Sequence, residues 1–138
     1  MSDIPLDTNV IVRYLTESPQ HLDTEFQGVF SFFENLETGS LSVFLPDIVL
    51  FQAYFVLTSF YKAPRSEVAD KLRRIVAFPG IQMTEKNFII ACLQRLQSQN
   101  LDVVDCYLLA WTESRGVKCV YSFDRDMEKN GLELLKIK

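Results

Sequence analysis

Two aspartates of this chain directly follow short apolar runs that have the composition of strands. Asp7 follows the run 4–6, and Asp124 follows the run 117–122. In α/β proteins, ligands bind outside the carboxyl ends of the parallel strands, so both side chains stand where a site is expected. The alternative for each aspartate is a structural role as the N-cap of the helix that follows it.

A second pair of carboxylates lies at the start of a predicted helix. Asp102 and Asp105 are three residues apart, which places them on one helix face, and Asp102 alternatively serves as the N-cap. Carboxylates brought together repel one another, and a divalent cation removes that penalty. Without histidine or cysteine partners they favour Mg²⁺ or Mn²⁺ over Zn²⁺. A water acidified by such an ion could attack a phosphodiester, so these residues predict a hydrolytic metal site.

The elements that would position these aspartates alternate along the chain. Strands are predicted at residues 4–6, 43–45, 81–83, 117–122 and 134–137. Helices are predicted at residues 10–15 (capped by Thr8 or Asn9), 26–36, 48–61 (capped by Asp47), 64–76, 84–96 and 102–115 (ended by Gly116), and a short one begins at Asp124. This alternation predicts an α/β fold, a three-layer α/β/α sandwich around a mainly parallel sheet of four to five strands, in a single domain over residues 1–138.

Composition excludes several classes of protein. The chain has 138 residues, of which 48% are hydrophobic, and a net charge of −4, an ordinary composition for one globular domain. Three cysteines without C-x-x-C spacing predict neither a disulfide framework nor a zinc site, and they suit a reducing cytoplasm. No apolar run approaches the length of a membrane span, and no signal peptide is recognised. The lone histidine, His21, is assigned no role.

Four segments of the sequence resemble the PIN-domain family, in particular the bacterial VapC-type toxins. They are LDTNVIVRYL at 6–15, LPDIVLFQAYFVLTSFY at 45–61, LDVVDCYLLAW at 101–111 and VYSFDRDMEK at 120–129. The resemblance implies a parallel sheet between helices and a metal-dependent ribonuclease that uses Mg²⁺ or Mn²⁺. It also implies a homodimer and, for a toxin, inhibition by a partner antitoxin protein.

The resemblance also assigns roles to particular residues. It implies metal ligands at Asp7, Asp105 and Asp124, an accessory or capping carboxylate at Asp102, supporting polar groups at Thr8, Asn9 and Ser122, and an assisting acid at Asp126. A haloacid-dehalogenase-type phosphotransferase is the competing interpretation of Asp7, as its nucleophile. That site requires a second acid where this chain has Asn9.

The chain departs from the family at Gln52, where members usually carry a glutamate. Glutamine keeps a carbonyl oxygen but lacks the charge, which weakens cation binding and removes a proton acceptor. Three interpretations stay open. The enzyme works with its aspartates alone, the chain is a degenerate member that binds RNA or an antitoxin without cutting, or the residue is an engineered inactivation.

Basic and aromatic residues complete the set of candidates. Arg13, shortly after Asp7, is the preferred contact for an RNA phosphate. Weaker candidates for the same role are Lys62, Arg65, Lys71, Arg73 and Arg74, for which a solvated helix face is the alternative. An almost continuous ring of aromatic side chains surrounds the helix over 48–61, and with Trp111 it predicts core packing on one side and a second subunit on the other.

Overall fold

The computed structural model describes residues 3–20 and 24–138, so His21 lies outside the described part. The α-helices in the described residues are α1 Thr8–Thr16, α2 Val29–Thr38, α3 Asp47–Phe55, α4 Arg65–Val76, α5 Lys86–Ser98, α6 Val103–Arg115 and α7 Arg125–Lys129. A 3₁₀ turn, Thr24–Phe26, precedes α2, and a π-helical turn, Val56–Phe60, continues α3. The strands are β1 Val43–Phe44, β2 Ile81–Gln82, β3 Cys119–Val120 and β4 Glu133–Leu134. No helix in the described residues is long and apolar enough to cross a bilayer.

The strands form parallel pairs, as the alternation of elements predicted. Strand β1 pairs with β2, and β3 pairs with β4. Residues 4–6 extend the first pair through a parallel bridge from Pro5 to Phe44, and the N–H of Leu6 donates to the Phe44 carbonyl at 2.9 Å. The α/β class is therefore confirmed. The described strands are two residues long and form two separate pairs, so the predicted three-layer sandwich around one sheet of four to five strands is not confirmed.

The core lies between the helices and these short strands. Helix α4 shows how the sequence builds it, because its buried side chains recur at the three- and four-residue spacing of one helix face: Val68, Ala69, Leu72, Ile75 and Val76. Helix α4 packs against α5, and α5 packs against α6. Gly80 closes the turn before β2, where an added Cβ would lie 2.2 Å from the Leu41 carbonyl oxygen. Any side chain at that position would therefore displace the backbone.

The helix ends confirm some predicted caps and correct others. Helix α6 ends at Gly116 in the left-handed conformation (φ 67°), as predicted. Asp7, rather than Thr8 or Asn9, is the N-cap of α1, since α1 already begins at Thr8. Pro46 occupies the cap position of α3, where Asp47 was predicted. Its extended backbone (ψ 144°) ends the strand segment, so Asp47 is already helical.

Helix α2 begins later than predicted, at Val29 instead of residue 26. The 3₁₀ turn Thr24–Phe26 takes up the start of the predicted helix, and Gly28 is the residue before α2. The apolar spacing continues through both segments, so periodicity alone did not separate them.

Candidate metal centre

Three carboxylates from two helices meet at one end of the described fold. Oxygen atoms of Asp105, Asp124 and Asp126, called here the acidic cluster, all lie within 4.8 Å of one another. Asp105 stands in the first turn of α6, Asp124 is the N-cap of α7, and Asp126 stands in the first turn of α7. Asp105 is separated along the chain from Asp124 and Asp126, and only folding brings their carboxylates together.

Local hydrogen bonds hold the α7 half of the cluster in place. The N–H of Asp124 donates to the hydroxyl oxygen of Ser122 at 2.9 Å, and the N–H of Asp126 donates to Oδ1 of Asp124 at 2.9 Å. The side-chain amide of Asn130 donates to the Asp126 carbonyl at 2.7 Å. The loop after β3 is thereby tied to the first turn of α7, which orients both carboxylates toward α6.

Asp102 has the capping role that was one alternative for it. The N–H of Asp105 donates to Oδ1 of Asp102 at 2.8 Å, which satisfies one free donor at the start of α6. Asp102 is exposed, whereas Asp105 is partly buried. The cap therefore fixes the backbone that carries Asp105 and adds a negative charge beside it.

Burial and electrostatic repulsion both raise the pKa of the Asp105 carboxyl. Burial and, after it, the charges of Asp102, Asp124 and Asp126 raise the pKa of Asp105 from 3.8 to about 6. A hydrogen bond with Asp124 adds to this increase. In the described part of the chain, no lysine or arginine forms a salt bridge with the cluster. The cluster is therefore an uncompensated set of hard oxygen donors, which fits a divalent cation such as Mg²⁺ or Mn²⁺.

Asp7 lies outside this group of three and lines a separate concavity. It is exposed, and its Oδ1 accepts a hydrogen bond from the N–H of Thr8 at 2.7 Å, so it is an N-cap whatever its further role. The Asp7 concavity, of about 400 Å³, is lined by Asp7, Thr8, Asn9, Val12, Arg13, Gln52, Val56 and Tyr61. The structure thus brings Asp7 and Gln52 together, but it does not place Asp7 among the three clustered carboxylates.

Arg13 is held at the edge of the Asp7 concavity by two contacts. Its guanidinium pairs with the Glu17 carboxylate at 2.9 Å and lies 4.3 Å from the ring centroid of Phe26. The Arg13 side chain keeps 41% of its surface exposed, so its charge remains available to an anion beside Asp7.

Four of the other five basic candidates, all except the exposed Lys62, have structural partners. Lys71 pairs with Glu67, and both Arg73 and Arg74 pair with Asp70, all within α4. The hydrogen bond from Arg73 leads the effects that keep the pKa of Asp70 below its usual range. Arg65 donates to the backbone carbonyls of residues 99 and 101. These contacts agree with the solvated and structural alternatives.

Sequence reasoning placed Asp126 outside the centre, as an assisting acid, whereas the fold groups it directly with Asp105 and Asp124. The signal was present in the Asp-x-Asp spacing at the start of α7, where the first aspartate caps the helix and receives the N–H of the second. That spacing turns both carboxylates to the same helix end.

Comparison with known proteins agrees with this geometry. The sequence matches the PIN domain family over residues 4–132. It is also similar to a VapC ribonuclease of Aquifex aeolicus (strain VF5), with 24% identity over 128 residues, which cover 93% of this chain and 92% of the relative. The family match spans almost all of the chain, including both α6 and the loop before α7, and the chain therefore belongs to the PIN domain family.

Proposed function

We propose that this protein is a metal-dependent endoribonuclease of the toxin–antitoxin type. The observation that carries the proposal is the acidic cluster, three carboxylates within 4.8 Å that form no salt bridge with any lysine or arginine among the described residues. Family membership and the similarity to a VapC ribonuclease support the same activity. Repulsion between the three carboxylates destabilises the fold unless a cation binds them. The cluster therefore supports a divalent metal site.

In this proposal Asp105, Asp124 and Asp126 would hold Mg²⁺ or Mn²⁺, and Asp7 would contribute a further carboxylate. A bound ion would acidify a water and neutralise charge on the phosphodiester that is cut. Ser122 and Asp102 act through hydrogen bonds that orient the clustered carboxylates.

The residues of the Asp7 concavity have complementary roles in this proposal. Asp7 contributes a carboxylate at the start of α1, with Thr8 and Asn9 as its polar support. Gln52 offers a neutral carbonyl oxygen beside it. Arg13 contacts a backbone phosphate of the RNA, because its exposed guanidinium lies on the same concavity.

A second candidate function is a PIN-fold module that binds RNA or an antitoxin without cutting. The observation that favours it is the composition of the Asp7 concavity, where Gln52 and Asn9 are amides and Asp7 is the one carboxylate among the lining residues. Cation sites depend on the number of ligand charges, so this side of the centre holds an ion less strongly than a glutamate would allow.

The proposed partners are an RNA substrate, an antitoxin protein and a second copy of the chain, in the cytoplasm. For the homodimer we propose the face formed by α3 and α6, which exposes the apolar side chains Ile48, Phe55, Val104 and Trp111. Rings from the two helices meet there edge to face, Phe51 against Tyr107 at 5.8 Å. An exposed apolar face of this kind is typical of an interaction surface.

Cleavage of RNA by the purified protein tests the nuclease proposal. We expect cleavage in Mg²⁺ or Mn²⁺, its loss in excess EDTA, and a decrease of at least about 100-fold in Asp105→Asn or Asp7→Asn, because each removes a ligand charge. The matched control is Glu67→Gln, the same change at an exposed pair on α4, which should cleave like the parent protein.

Cleavage that persists in excess EDTA would contradict the metal mechanism. Equal losses in Asp105→Asn and Glu67→Gln would show that the effect is not specific to the cluster. Tight RNA binding without cleavage under any metal condition would favour the binding module.

A further inference from the structure

The chain leaves regular helical geometry immediately after α3. The π-helical turn Val56–Phe60 is closed by the N–H of Tyr61, which donates to the Val56 carbonyl at 3.2 Å, a spacing of five residues. Leu57 is buried, and a regular helix would carry the next apolar residues back toward the same face three and four positions later. Phe60 is instead 77% exposed. π turns recur at functional sites, so this departure from the core needs an explanation.

The residue after this turn adds a second irregularity. Lys62 has a φ of 55°, and it is the one non-glycine residue in the left-handed region among residues 3–20 and 24–138. Such a backbone is retained only where its surroundings demand it. Lys62 is exposed, so burial of its side chain does not account for the conformation. Its effect is to turn the chain sharply just beyond Phe60 and Tyr61.

Tyr61 lies at the proposed active site, and Phe60 packs against its ring. Tyr61 lines the Asp7 concavity together with Asp7, Gln52 and Arg13, and it is 43% exposed. The Phe60 ring meets the Tyr61 ring edge to face, with centroids 5.0 Å apart and planes 75° apart. The Phe60–Tyr61 pair therefore presents a wide aromatic surface next to a carboxylate and a guanidinium.

We propose that the Phe60–Tyr61 pair is a stacking surface for an unpaired RNA base adjacent to the phosphate that is cut. This inference rests on the proposed nuclease function and names its substrate class as single-stranded RNA. Unpaired bases stack on exposed aromatic rings with little regard to sequence, and a nearby cation contacts the phosphate. The protein carries a net charge of −4, so general electrostatic attraction to RNA is weak and stacking supplies affinity that salt does not screen.

The inference is tested by RNA binding in a background that leaves the RNA intact. A labelled single-stranded RNA of mixed sequence is titrated by fluorescence anisotropy with the Asp105→Asn protein in Mg²⁺. We expect Tyr61→Ala to weaken binding about 10-fold and Phe60→Ala several-fold, because stacking on one base is lost, whereas Tyr61→Trp stays within about 3-fold. The control is Ile137→Ala, which removes exposed apolar surface outside the concavity and outside the proposed dimer face, since Ile137 is 57% exposed.

A double-mutant cycle then assigns the loss to a base. The same titration is repeated with a series of RNAs that each lack one base. At one position we expect the missing base to weaken binding to the Tyr61 protein about 10-fold and to have little further effect on Tyr61→Ala. A duplex of the same sequence should bind all variants equally, because its bases are already stacked.

Several outcomes would overturn the inference. One is a loss of affinity in Ile137→Ala as large as that in Tyr61→Ala. Another is strict additivity of Tyr61→Ala with every missing base. A third is unchanged RNA affinity combined with conversion of a dimer to a monomer in Phe60→Ala, which would assign the pair to a second copy. Absence of any affinity for single-stranded RNA overturns it as well, whereas intact affinity without metal-dependent cleavage overturns only the nuclease proposal.

Discussion

The two parts of the candidate centre differ in charge. The acidic cluster holds three carboxylates within 4.8 Å, and repulsion there contributes to the raised pKa of Asp105. The Asp7 concavity carries one carboxylate among amides, an aromatic ring and the guanidinium of Arg13. One part is therefore rich in uncompensated negative charge, and the other contains a near balance of charge.

This difference separates two tasks that a phosphodiesterase has to perform. Concentrated negative charge is unfavourable for the fold alone but binds a cation, whereas a mixed polar and aromatic surface accepts a polyanion with bases. In our proposal the acidic cluster supplies three ligands of the ion, and the Asp7 concavity supplies one further carboxylate and accepts the RNA. Gln52 lines the Asp7 concavity, where a neutral side chain does not repel the phosphates of the RNA.

Restoring the family's usual acid tests this division most strongly. If Gln52→Glu adds a second carboxylate of the Asp7 concavity to the metal site, the Mg²⁺ concentration for half-maximal cleavage should fall about 10-fold, because a ligand charge is added. Cleavage rates across a Mg²⁺ titration measure this change. Gln94→Glu on the exposed surface of α5 is the control for the added charge alone. An unchanged titration would show that a glutamate at position 52 is not needed for metal-dependent cleavage.

Neutralising one carboxylate should stabilise the metal-free protein. We expect Asp105→Asn to raise its free energy of unfolding at pH 7 by about 1 kcal/mol, or its Tm by about 3 °C, which is less than the pKa shift implies because the group borders solvent. Denaturant unfolding in EDTA measures it. Added Mg²⁺ should narrow the difference, since it stabilises only the parent strongly. If Asp105→Asn is less stable than the parent protein in EDTA, charge repulsion at Asp105 does not destabilise the fold.

The same pKa shift predicts the direction of a pH dependence. Asp105 binds its proton more tightly in the folded state, where its pKa is about 6, than when unfolded, near 3.8. The metal-free protein should therefore lose this contribution to stability as pH rises from about 4 to about 6, with no further loss above that range. Unfolding experiments across this range should show the slope in the parent and a flatter curve in Asp105→Asn. Identical curves would mean that another group titrates.

The smallest effects are expected at Asp102, where two substitutions distinguish an N-cap from a metal ligand. Asp102→Ala should cost about 1 kcal/mol of stability through loss of the cap, while Asp102→Asn should keep nearly all of it, because asparagine caps as well. Both variants should retain cleavage if Asp102 only holds α6 in place. A loss of cleavage in Asp102→Asn comparable with that in Asp105→Asn would make Asp102 a metal ligand and extend the acidic cluster.

Local sequence patterns determined much of the fold. Strand and helix periodicity located almost every element, and the parallel pairing followed from their alternation. The caps at Asp102 and Gly116 were readable because a cap depends on the side chain and backbone of a few adjacent residues. The family resemblance also depended on short local segments, and the match over residues 4–132 confirmed it.

Tertiary structure decided what depends on distant parts of the chain. Asp126 joins Asp105 because the packing of α6 and α7 and the hydrogen bonds after β3 set the distance between them, while Asp7 lines a separate concavity. Aromatic spacing predicted a ring around one helix, but only the structure shows that Tyr54 is buried within α3 and that Phe60, at the end of the π turn, is exposed. Sequence spacing specifies which face of a regular helix a residue occupies, but it does not show where a helix departs from α-helical geometry.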